Sequence, residues 1–267
     1  MEAPELTSVR AKIRRAEHHL HDIDSALTLL IGSDPTANQP VIFEFESDGK
    51  EIVVHLTECK PIDPALPLMI GDCLHNLRSA LDHLVYQLAL NNGASIDSAN
   101  KTFFPVYLTK AKFDDRVKKL VKPFISSAAL TEIEKCQPYS AYDVPEEADV
   151  WILNRLDIFD KHRLLVVAGQ KCAPTEFTLT VVATGERRHE IIPEPQWKPV
   201  EDGAEIIRFR FIDPPGKMRV QIKLVTSIQF IKTGMAADGV GVQDALRQCI
   251  AIVSSHVSHF GKIFFGE

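Results

Sequence analysis

The stretch from residue 65 to residue 91, ALPLMIGDCLHNLRSALDHLVYQLALN, is the longest uninterrupted helical pattern in the chain. Its apolar residues recur at spacings of four and three, which places them on one face of an α-helix. These residues are Ile70, Leu74, Leu77, Leu81, Leu84 and Leu88. The pattern predicts a long helix around which the rest of the chain is organised.

This helix also carries the densest set of reactive side chains in the sequence. They are Asp72, His75, Asn76, Arg78, Asp82, His83 and Gln87. A helix turns by about 100° per residue, so His75, Arg78 and Asp82 share one flank of the apolar face. His83 falls about 140° round the axis from Arg78, on the polar back of the helix.

The composition is that of an ordinary globular protein, with 267 residues, 45% hydrophobic and 25% charged. A net charge of -6 argues against broad nonspecific binding to nucleic acid or membrane and leaves room for a local basic patch. The five cysteines are odd in number, scattered and never in a Cys-x-x-Cys pair, which suits a reducing compartment. The sequence shows no apolar signal core and no run of about 18 apolar residues. We therefore predict a cytoplasmic protein that has no membrane contact.

The remaining patterns predict a mixed architecture. Further helical periodicity occurs at 4–31, 110–121, 126–135, 147–160 and 241–264. Residues 164–230 change to a period of two, and two alternating runs around Asp48-Gly49 predict a β-hairpin at 41–58. We predict an α+β fold, in which a bundle of four or more helices packs with an antiparallel β-sheet. The bundle would contain helices 4–31, 65–91, 147–160 and 241–264, within a single compact domain of residues 1–267.

The central helix contains an arginine followed by four residues and then a histidine, Arg78-Ser79-Ala80-Leu81-Asp82-His83. This string resembles the signature of HEPN-family domains, helical bundles many of which are metal-independent ribonucleases that act at a dimer interface. The resemblance implies that Arg78 stabilises charge on the scissile phosphate and that His83 is the general acid or base, with Asp82 beside them as a further candidate catalytic residue. Guanidinium binds phosphate oxygens as a fork, and imidazole titrates near neutral pH. Ser79 departs from the family pattern, which commonly has an amide, acid or histidine after the arginine.

A structural explanation accounts for the same residues. Arg78 and Asp82 are one helical turn apart and are expected to form an ion pair, as such neighbours commonly do. His83 would then be a solvated polar residue. The two explanations differ in whether Arg78 and His83 are open to a ligand.

A second group of candidates lies in Asn154-x-x-Asp157-x-x-Asp160-Lys161-His162-Arg163. If this helix packs beside the central one, Asn154, Asp160 and His162 would join His75 and Asn76 as binding residues. Two or three histidines with carboxylates would also suit a metal-dependent hydrolase, with the ligands drawn from His75, Asp82, His83, Asp160 and His162. The spacing matches no recognised metal motif, and a cationic cap at the end of the helix explains Lys161, His162 and Arg163 equally well. We therefore predict no resident metal.

Basic side chains outside these two helices suggest the partner class. One cluster contains His18, His19 and His21, and the other contains Lys110, Lys112, Arg116, Lys118, Lys119 and Lys122. Together they predict a possible patch for RNA or a nucleotide, although solvated helix faces explain them too. The chain has neither a Walker pattern nor a complete dinucleotide fingerprint, so we predict no cofactor.

Three hypotheses follow from the sequence. The first is a HEPN-like ribonuclease that acts as a homodimer, the second is a noncatalytic protein that binds RNA, a nucleotide or a protein partner, and the third is the metal-dependent hydrolase. The runs DCLHNLRSALDHLVYQL and LNRLDIFDKHRLL also resemble those of bacterial proteins of similar length, a likeness that implies no activity. It does predict that residues 75–83 and 154–163 are spatial neighbours.

Overall fold

The computed structural model describes residues 3–31, 41–45, 50–57, 61–162, 168–192, 196–211, 217–230 and 239–267. The fold is α+β, as predicted. The chain divides into two compact units, one made of Met1–Asp24, Pro64–Val167 and Phe230–Glu267, and the other of Ser25–Asp63 and Ala168–Gln229. The single domain predicted for residues 1–267 stays a prediction.

The helices of the described residues are α1 Thr7–Ile31, α2 Ala65–Asn91, α3 Ile96–Ala99, α4 Lys110–Leu120, α5 Ser127–Lys135, α6 Pro138–Ala141, α7 Asp149–His162 and α8 Val242–Phe264, with 3-10 turns at Pro4–Leu6 and Pro145–Glu147. Six of them lie where the apolar periodicity predicted them, to within a few residues, whereas the four-residue helices α3 and α6 were not predicted. The helix predicted for 65–91 has the bounds expected of it. It ends at Asn91, and Gly93 follows with a φ of 83°, a conformation that glycine adopts without strain.

The four long helices form the predicted bundle, with α2 packed against both α7 and α8. All six residues of the apolar stripe on α2 are buried. Helix α1 is tied to α2 by a bond between the Cys73 thiol and the Ala16 carbonyl oxygen, and to α8 by Gln243, which donates to Asp24 at 2.6 Å. The close approach of α7 depends on Gly71, since a Cβ there would lie 2.7 Å from the Asp160 carboxylate oxygens.

Residues 102–107 follow α3 without regular secondary structure, and buried polar groups hold their backbone in place. Gln137, fully buried, donates through Nε2 to the Pro105 carbonyl at 2.8 Å and accepts the Tyr107 N–H through Oε1 at 3.1 Å. Phe104 is also fully buried, and its ring stacks against the imidazole of His256 on α8. This segment is therefore part of the helical core.

The second unit contains two antiparallel sheets. The strands are β1 Val41–Phe45, β2 Glu51–Leu56, β3 Ala168–Val181, β4 Arg187–Ile191, β5 Lys198–Pro199, β6 Glu205–Arg210 and β7 Met218–Phe230. One sheet has the order β1-β2-β6, and in the other β3 pairs with β4, β5 and β7. The predicted hairpin at 41–58 is confirmed, with Val41 opposite Leu56 and Phe45 opposite Ile52.

The predicted turn at Asp48-Gly49 lies outside the described residues. A turn at Thr184-Gly185 joins β3 to β4, and Gly185 has a φ of 71° there. The alternation of the strands buries Ile52, Val54, Phe177, Leu179 and Phe209 in one cluster. Within it the rings of Phe177 and Phe209 meet edge to face, with their centroids 4.7 Å apart.

Of the cysteines in the described residues, Cys73, Cys136 and Cys249 are free thiols. Burial raises the pKa of Cys73 and of Cys136 to about 12, so both thiols stay protonated and uncharged at neutral pH. Across the described ranges, no helix is long and apolar enough to cross a bilayer.

The stacking of His256 on Phe104 predicts an acid-sensitive core. Burial lowers the pKa of His256 from 6.5 to about 4, and its buried Nε2 has no hydrogen-bond partner among the described residues. Between pH 6.5 and about pH 4, His256 binds a proton in the unfolded chain but not in the folded chain. The free energy of unfolding therefore falls as the pH is lowered through this range. We expect His256→Leu to reduce this loss, measured by urea unfolding between pH 7 and pH 4. The matched variant His18→Leu, at an exposed histidine, should keep the wild-type slope; an equal slope in all three proteins would contradict the prediction.

Candidate functional site

The contact between α2 and α7 brings together candidate residues that are about 80 positions apart in sequence. His75 Nδ1 lies 3.2 Å from Asp157 Oδ1, and Arg78 Nε donates to Asn154 Oδ1 at 3.1 Å. Residues 75–83 and the described part of 154–163 are therefore neighbours, as predicted.

Arg78 is the centre of a buried polar network. Its Nη1 donates to Asp82 Oδ1 at 2.7 Å, which confirms the predicted ion pair one helical turn along. Its Nη2 donates to the carbonyl of Phe104 at 2.7 Å, and Asp82 Oδ1 accepts the N–H of the same residue at 2.8 Å. Arg78 and Asp82 thus bind both backbone groups of Phe104.

This network defines what Arg78 can do. The residue is 8% exposed, and all three guanidinium nitrogens donate to protein oxygens. A guanidinium has five N–H groups, so two remain for a ligand. The predicted contact with a phosphate would use those two, while the other three bind Asn154, Asp82 and the Phe104 carbonyl.

A cavity of about 570 Å³ opens beside Arg78. We call it the aromatic cleft; it is lined by Arg78, Phe103, Phe104, Val106, Tyr107, Leu108, Lys112, Asp115, Arg116, Trp151, Asn154, Arg155 and Ile158. Helix α7 contributes residues at i, i+3, i+4 and i+7, which form a single stripe of a helix. Helix α4 contributes residues at i, i+3 and i+4 while it buries Phe113 and Val117 on its other face.

Cations outnumber anions on the walls of the aromatic cleft. Arg78, Lys112, Arg116 and Arg155 face one carboxylate, Asp115. Arg78 is neutralised by Asp82, whereas neither Lys112 nor Arg116 has an ion pair with any residue that the structure describes. The cleft is therefore a local positive region on a chain whose net charge is -6.

The aromatic side chains give the cleft flat apolar surfaces. Trp151 is half-buried, and the Arg155 guanidinium carbon lies 5.8 Å from the centre of its ring, within the range of a cation–π contact. Burial raises the pKa of Tyr107, so its hydroxyl is neutral at physiological pH. Flat rings beside cations suit a ligand that is aromatic at one end and anionic at the other.

His83 lines a different cavity, of about 300 Å³. We call it the His83 cavity; it is lined by Ser8, Asp82, His83, Tyr86, Gln87, Ala99, Asn100 and Thr102. Burial and the cation of Lys12 lower the pKa of His83, an effect that Asp82 partly opposes. The aromatic cleft and the His83 cavity share no lining residue, so Arg78 and His83 of one chain line separate cavities.

The other predicted binding residues have structural contacts. Asn76 accepts from Lys12 of α1 at 3.3 Å and donates to the Asp72 carbonyl at 2.8 Å. Asp160 packs against Gly71. His162 is the last residue of α7, and its side chain is not described.

The described ranges contain no group of three or more His, Cys, Asp or Glu side chains able to hold an ion. Nothing in these ranges therefore supports the metal hypothesis. His75 is paired with Asp157, and His83 lies in its own cavity. Of the five ligands proposed, the imidazole of His162 is outside the described part of the chain.

The two predicted basic clusters differ in accessibility. In α1, His19 is buried, with its pKa lowered by burial and by Arg15, while His18 lies near Asp22 at 3.7 Å. In α4, Lys112 and Arg116 line the aromatic cleft, but Lys110 pairs with Glu134. The side chain of Lys118 is not described.

Sequence reasoning missed the aromatic and cationic cleft residues Tyr107, Trp151 and Arg155. Tyr107 lies in an irregular segment, and Trp151 and Arg155 lie in the helix predicted at 147–160 but were not identified as candidate site residues. A usable signal was present, since Trp151, Asn154, Arg155 and Ile158 recur at helical spacing with mixed chemistry. Half-buried aromatic and cationic residues on one stripe favour a ligand wall over a core face.

No protein-family model, no curated protein and no solved structure matches this chain. The candidate function rests on the geometry of the described residues.

The Arg78 network predicts a large cost for removing the guanidinium. Arg78→Ala leaves the Phe104 carbonyl and the Asp82 carboxylate without their partner, and we expect it to lower the free energy of unfolding by about 2 to 4 kcal/mol. Arg78→Lys keeps the charge but cannot make all three guanidinium bonds at once. Its free energy of unfolding should lie between those of the wild type and Arg78→Ala. Urea unfolding followed by circular dichroism measures both. The control is Arg155→Ala, which removes the cation–π contact with Trp151. A loss in Arg78→Ala no larger than in this control would refute the structural role.

Proposed function

We propose that this protein binds RNA or a nucleotide in the aromatic cleft. The observation that carries the proposal is the pairing of Trp151 and Tyr107 with two cations, Lys112 and Arg116, that have no ion-pair partner among the described residues. A base stacks on an aromatic ring, and a phosphate binds a free cation. The cleft offers both in one space.

The size of the cleft supports this ligand class. A volume of about 570 Å³ lies within the range of small-molecule sites. Stacking of a base on an aromatic side chain contributes about 1 to 3 kcal/mol and is tolerant of sequence, since every base has a flat face. Trp151 and Tyr107 would supply that stacking.

Local charge supports the phosphate contact. Lys112 and Arg116 are exposed and one helical turn apart, so both can reach a single phosphate or two successive ones. Asn154 holds Arg78 through its Oδ1, which leaves its amide N–H₂ as a donor to a base edge. These contacts bind and orient a ligand, and none of them requires turnover.

The proposal belongs to the noncatalytic class, and the scattered cysteines favour a reducing compartment for the binding. Arg78 acts as a support for the cleft wall: it fixes the backbone of Phe104, whose neighbour Phe103 lines the cleft. Its two remaining N–H groups are available to the ligand.

Binding is tested with fluorescently labelled single-stranded RNA and with mononucleotides, by anisotropy and calorimetry. Loss of a stacked base in Trp151→Leu should weaken binding about 5- to 150-fold, corresponding to 1 to 3 kcal/mol. Arg116→Ala should lower the slope of log K against log salt by about 0.7 to 1, since one phosphate contact is lost. The matched controls are Trp197→Leu, at an exposed tryptophan of the second unit, and Lys119→Ala, further along α4. Equal affinities for the variants and their controls, or no binding by the folded wild type, would overturn the proposal.

We propose as a second candidate a HEPN-like ribonuclease that uses Arg78 and His83 from two copies of the chain. The lowered pKa of His83 favours it, because a neutral imidazole at neutral pH is able to accept a proton from a ribose 2'-hydroxyl. Since Arg78 and His83 serve separate spaces within one chain, this reading requires a homodimer in which one copy completes the site of the other.

Cleavage is tested with RNA in the presence of EDTA, with product ends read by mass spectrometry and the oligomeric state measured by sedimentation. His83→Ala should lower the rate by about 10²- to 10⁴-fold and abolish 2',3'-cyclic phosphate ends. It should leave affinity for the aromatic cleft unchanged, which separates the two candidates. Arg78→Lys is preferred to Arg78→Ala, whose folding is compromised. Cleavage that persists in His83→Ala, or a monomer without cleavage, would exclude this candidate.

A further inference from the structure

The side chains of Ser79, His75 and Asp157 contact one another in that order where α2 packs against α7. Ser79 Oγ lies 3.4 Å from His75 Nε2, and His75 Nδ1 lies 3.2 Å from Asp157 Oδ1. Ser79 and His75 are one turn apart on α2, whereas Asp157 comes from α7. None of the three lines the aromatic cleft, so this arrangement is independent of the proposed binding function.

The order of the contacts fixes the tautomer of the imidazole. An ionised carboxylate accepts hydrogen bonds and donates none, so the proton between His75 and Asp157 must be on Nδ1. In the neutral imidazole Nε2 then carries a lone pair, and the hydroxyl of Ser79 is the donor. This is the tautomer that a histidine needs to act as a base toward a serine hydroxyl.

The carboxylate is held more firmly than a surface pair would be. Asp157 is 3% exposed, and its second oxygen accepts from Lys161 Nζ at 2.7 Å. Its position is therefore set by the packing of α7. The side chain of His75 is 49% exposed, so the base and its serine are open to a substrate from solvent.

We propose that Ser79 is a nucleophile activated by His75, with Asp157 as the positioning residue, and that the site takes small carboxylic esters. His75 Nε2 removes the proton of Ser79 Oγ as Oγ forms a bond to the ester carbonyl carbon. The tetrahedral adduct collapses, the bond to the alkoxy oxygen breaks, and the alcohol leaves with the proton from His75. Water then attacks the acylated serine with His75 again as the base, so that ester and water yield acid and alcohol.

The anchor on a second helix is what distinguishes this arrangement from an ordinary contact between i and i+4 neighbours. A histidine and a serine on one exposed helix face rotate freely through several rotamers. Here the buried Asp157 orients the imidazole from outside the helix. The distance of 3.4 Å between Oγ and Nε2 is of the kind found in unliganded sites, where the contact shortens when substrate binds.

The first experiment uses a fluorophosphonate probe on the full-length protein. The serine oxygen displaces fluoride from phosphorus and its proton leaves as HF, which creates a stable adduct located by peptide mass spectrometry. We expect the adduct on Ser79, its loss in Ser79→Ala and His75→Gln, and a decrease of roughly tenfold or more in labelling rate for Asp157→Asn. If the buried Asp157 variant fails to fold, the half-exposed His75→Gln carries the test.

Two variants serve as matched controls. Ser255→Ala removes an exposed serine from the interior of α8, and His259→Gln removes an exposed histidine that contacts Glu132 at 2.8 Å. Both should be labelled at Ser79 like the wild type. No adduct on folded wild type, an adduct on another residue, or labelling of Ser79 that survives His75→Gln would overturn the proposal.

Turnover of p-nitrophenyl acetate distinguishes the serine from the imidazole alone. Both Ser79→Ala and His75→Gln should lose the protein-dependent rate. A rate retained in Ser79→Ala and lost in His75→Gln would identify His75 as the nucleophile and reject Ser79.

Discussion

The bonds from Arg78 and Asp82 to the backbone of Phe104 are the constraint on which the helical unit depends. A peptide group inside a helical core has no strand or helix partner, and leaving it unpaired costs free energy. Arg78 and Asp82 satisfy both groups of Phe104, and Gln137 does the same for the Pro105 carbonyl and the Tyr107 N–H. An irregular segment can therefore run through the core between α2 and α8. The wall of the aromatic cleft follows from that path.

Two cavities arise on either side of one ion pair. Arg78 lines the aromatic cleft, Asp82 lines the His83 cavity, and the bond of 2.7 Å between them joins the two walls. The separation explains why a motif that places Arg78 and His83 on one helix gives no single site within one chain. A turn of five residues carries them about 140° apart. Chemistry that uses both residues therefore needs two chains, whereas binding in the aromatic cleft needs one.

Much of the fold was predictable because it depends on local pattern. The bounds of α2 follow from its apolar stripe and the Asn-Asn-Gly that ends it, and the pair Arg78–Asp82 follows from helical spacing. The contacts of Arg78 with Asn154 and Phe104 were harder to predict from the sequence, since they join residues 76 and 26 positions apart. The aromatic cleft was missed because its residues come from four segments, namely α2, the irregular segment after α3, α4 and α7. Ser79 was noticed only as a departure from a family pattern, and its relation to His75 and Asp157 required the register of α7 on α2.

The anchors of the segment at 102–107 have a consequence for how this protein can vary. Arg78, Asp82 and Gln137 bind its peptide groups, so they hold the path of the chain without using the side chains of Phe103 and Tyr107. Phe103 and Tyr107, which face the cleft, are thereby freed from any part in keeping the backbone in place. Substitution at these two positions changes the shape and polarity of the pocket while the scaffold stays intact. The two side chains that shape the cleft at these positions are therefore separate from the side chains that hold the backbone, so selection, or an engineer, can alter the cleft here without weakening the scaffold.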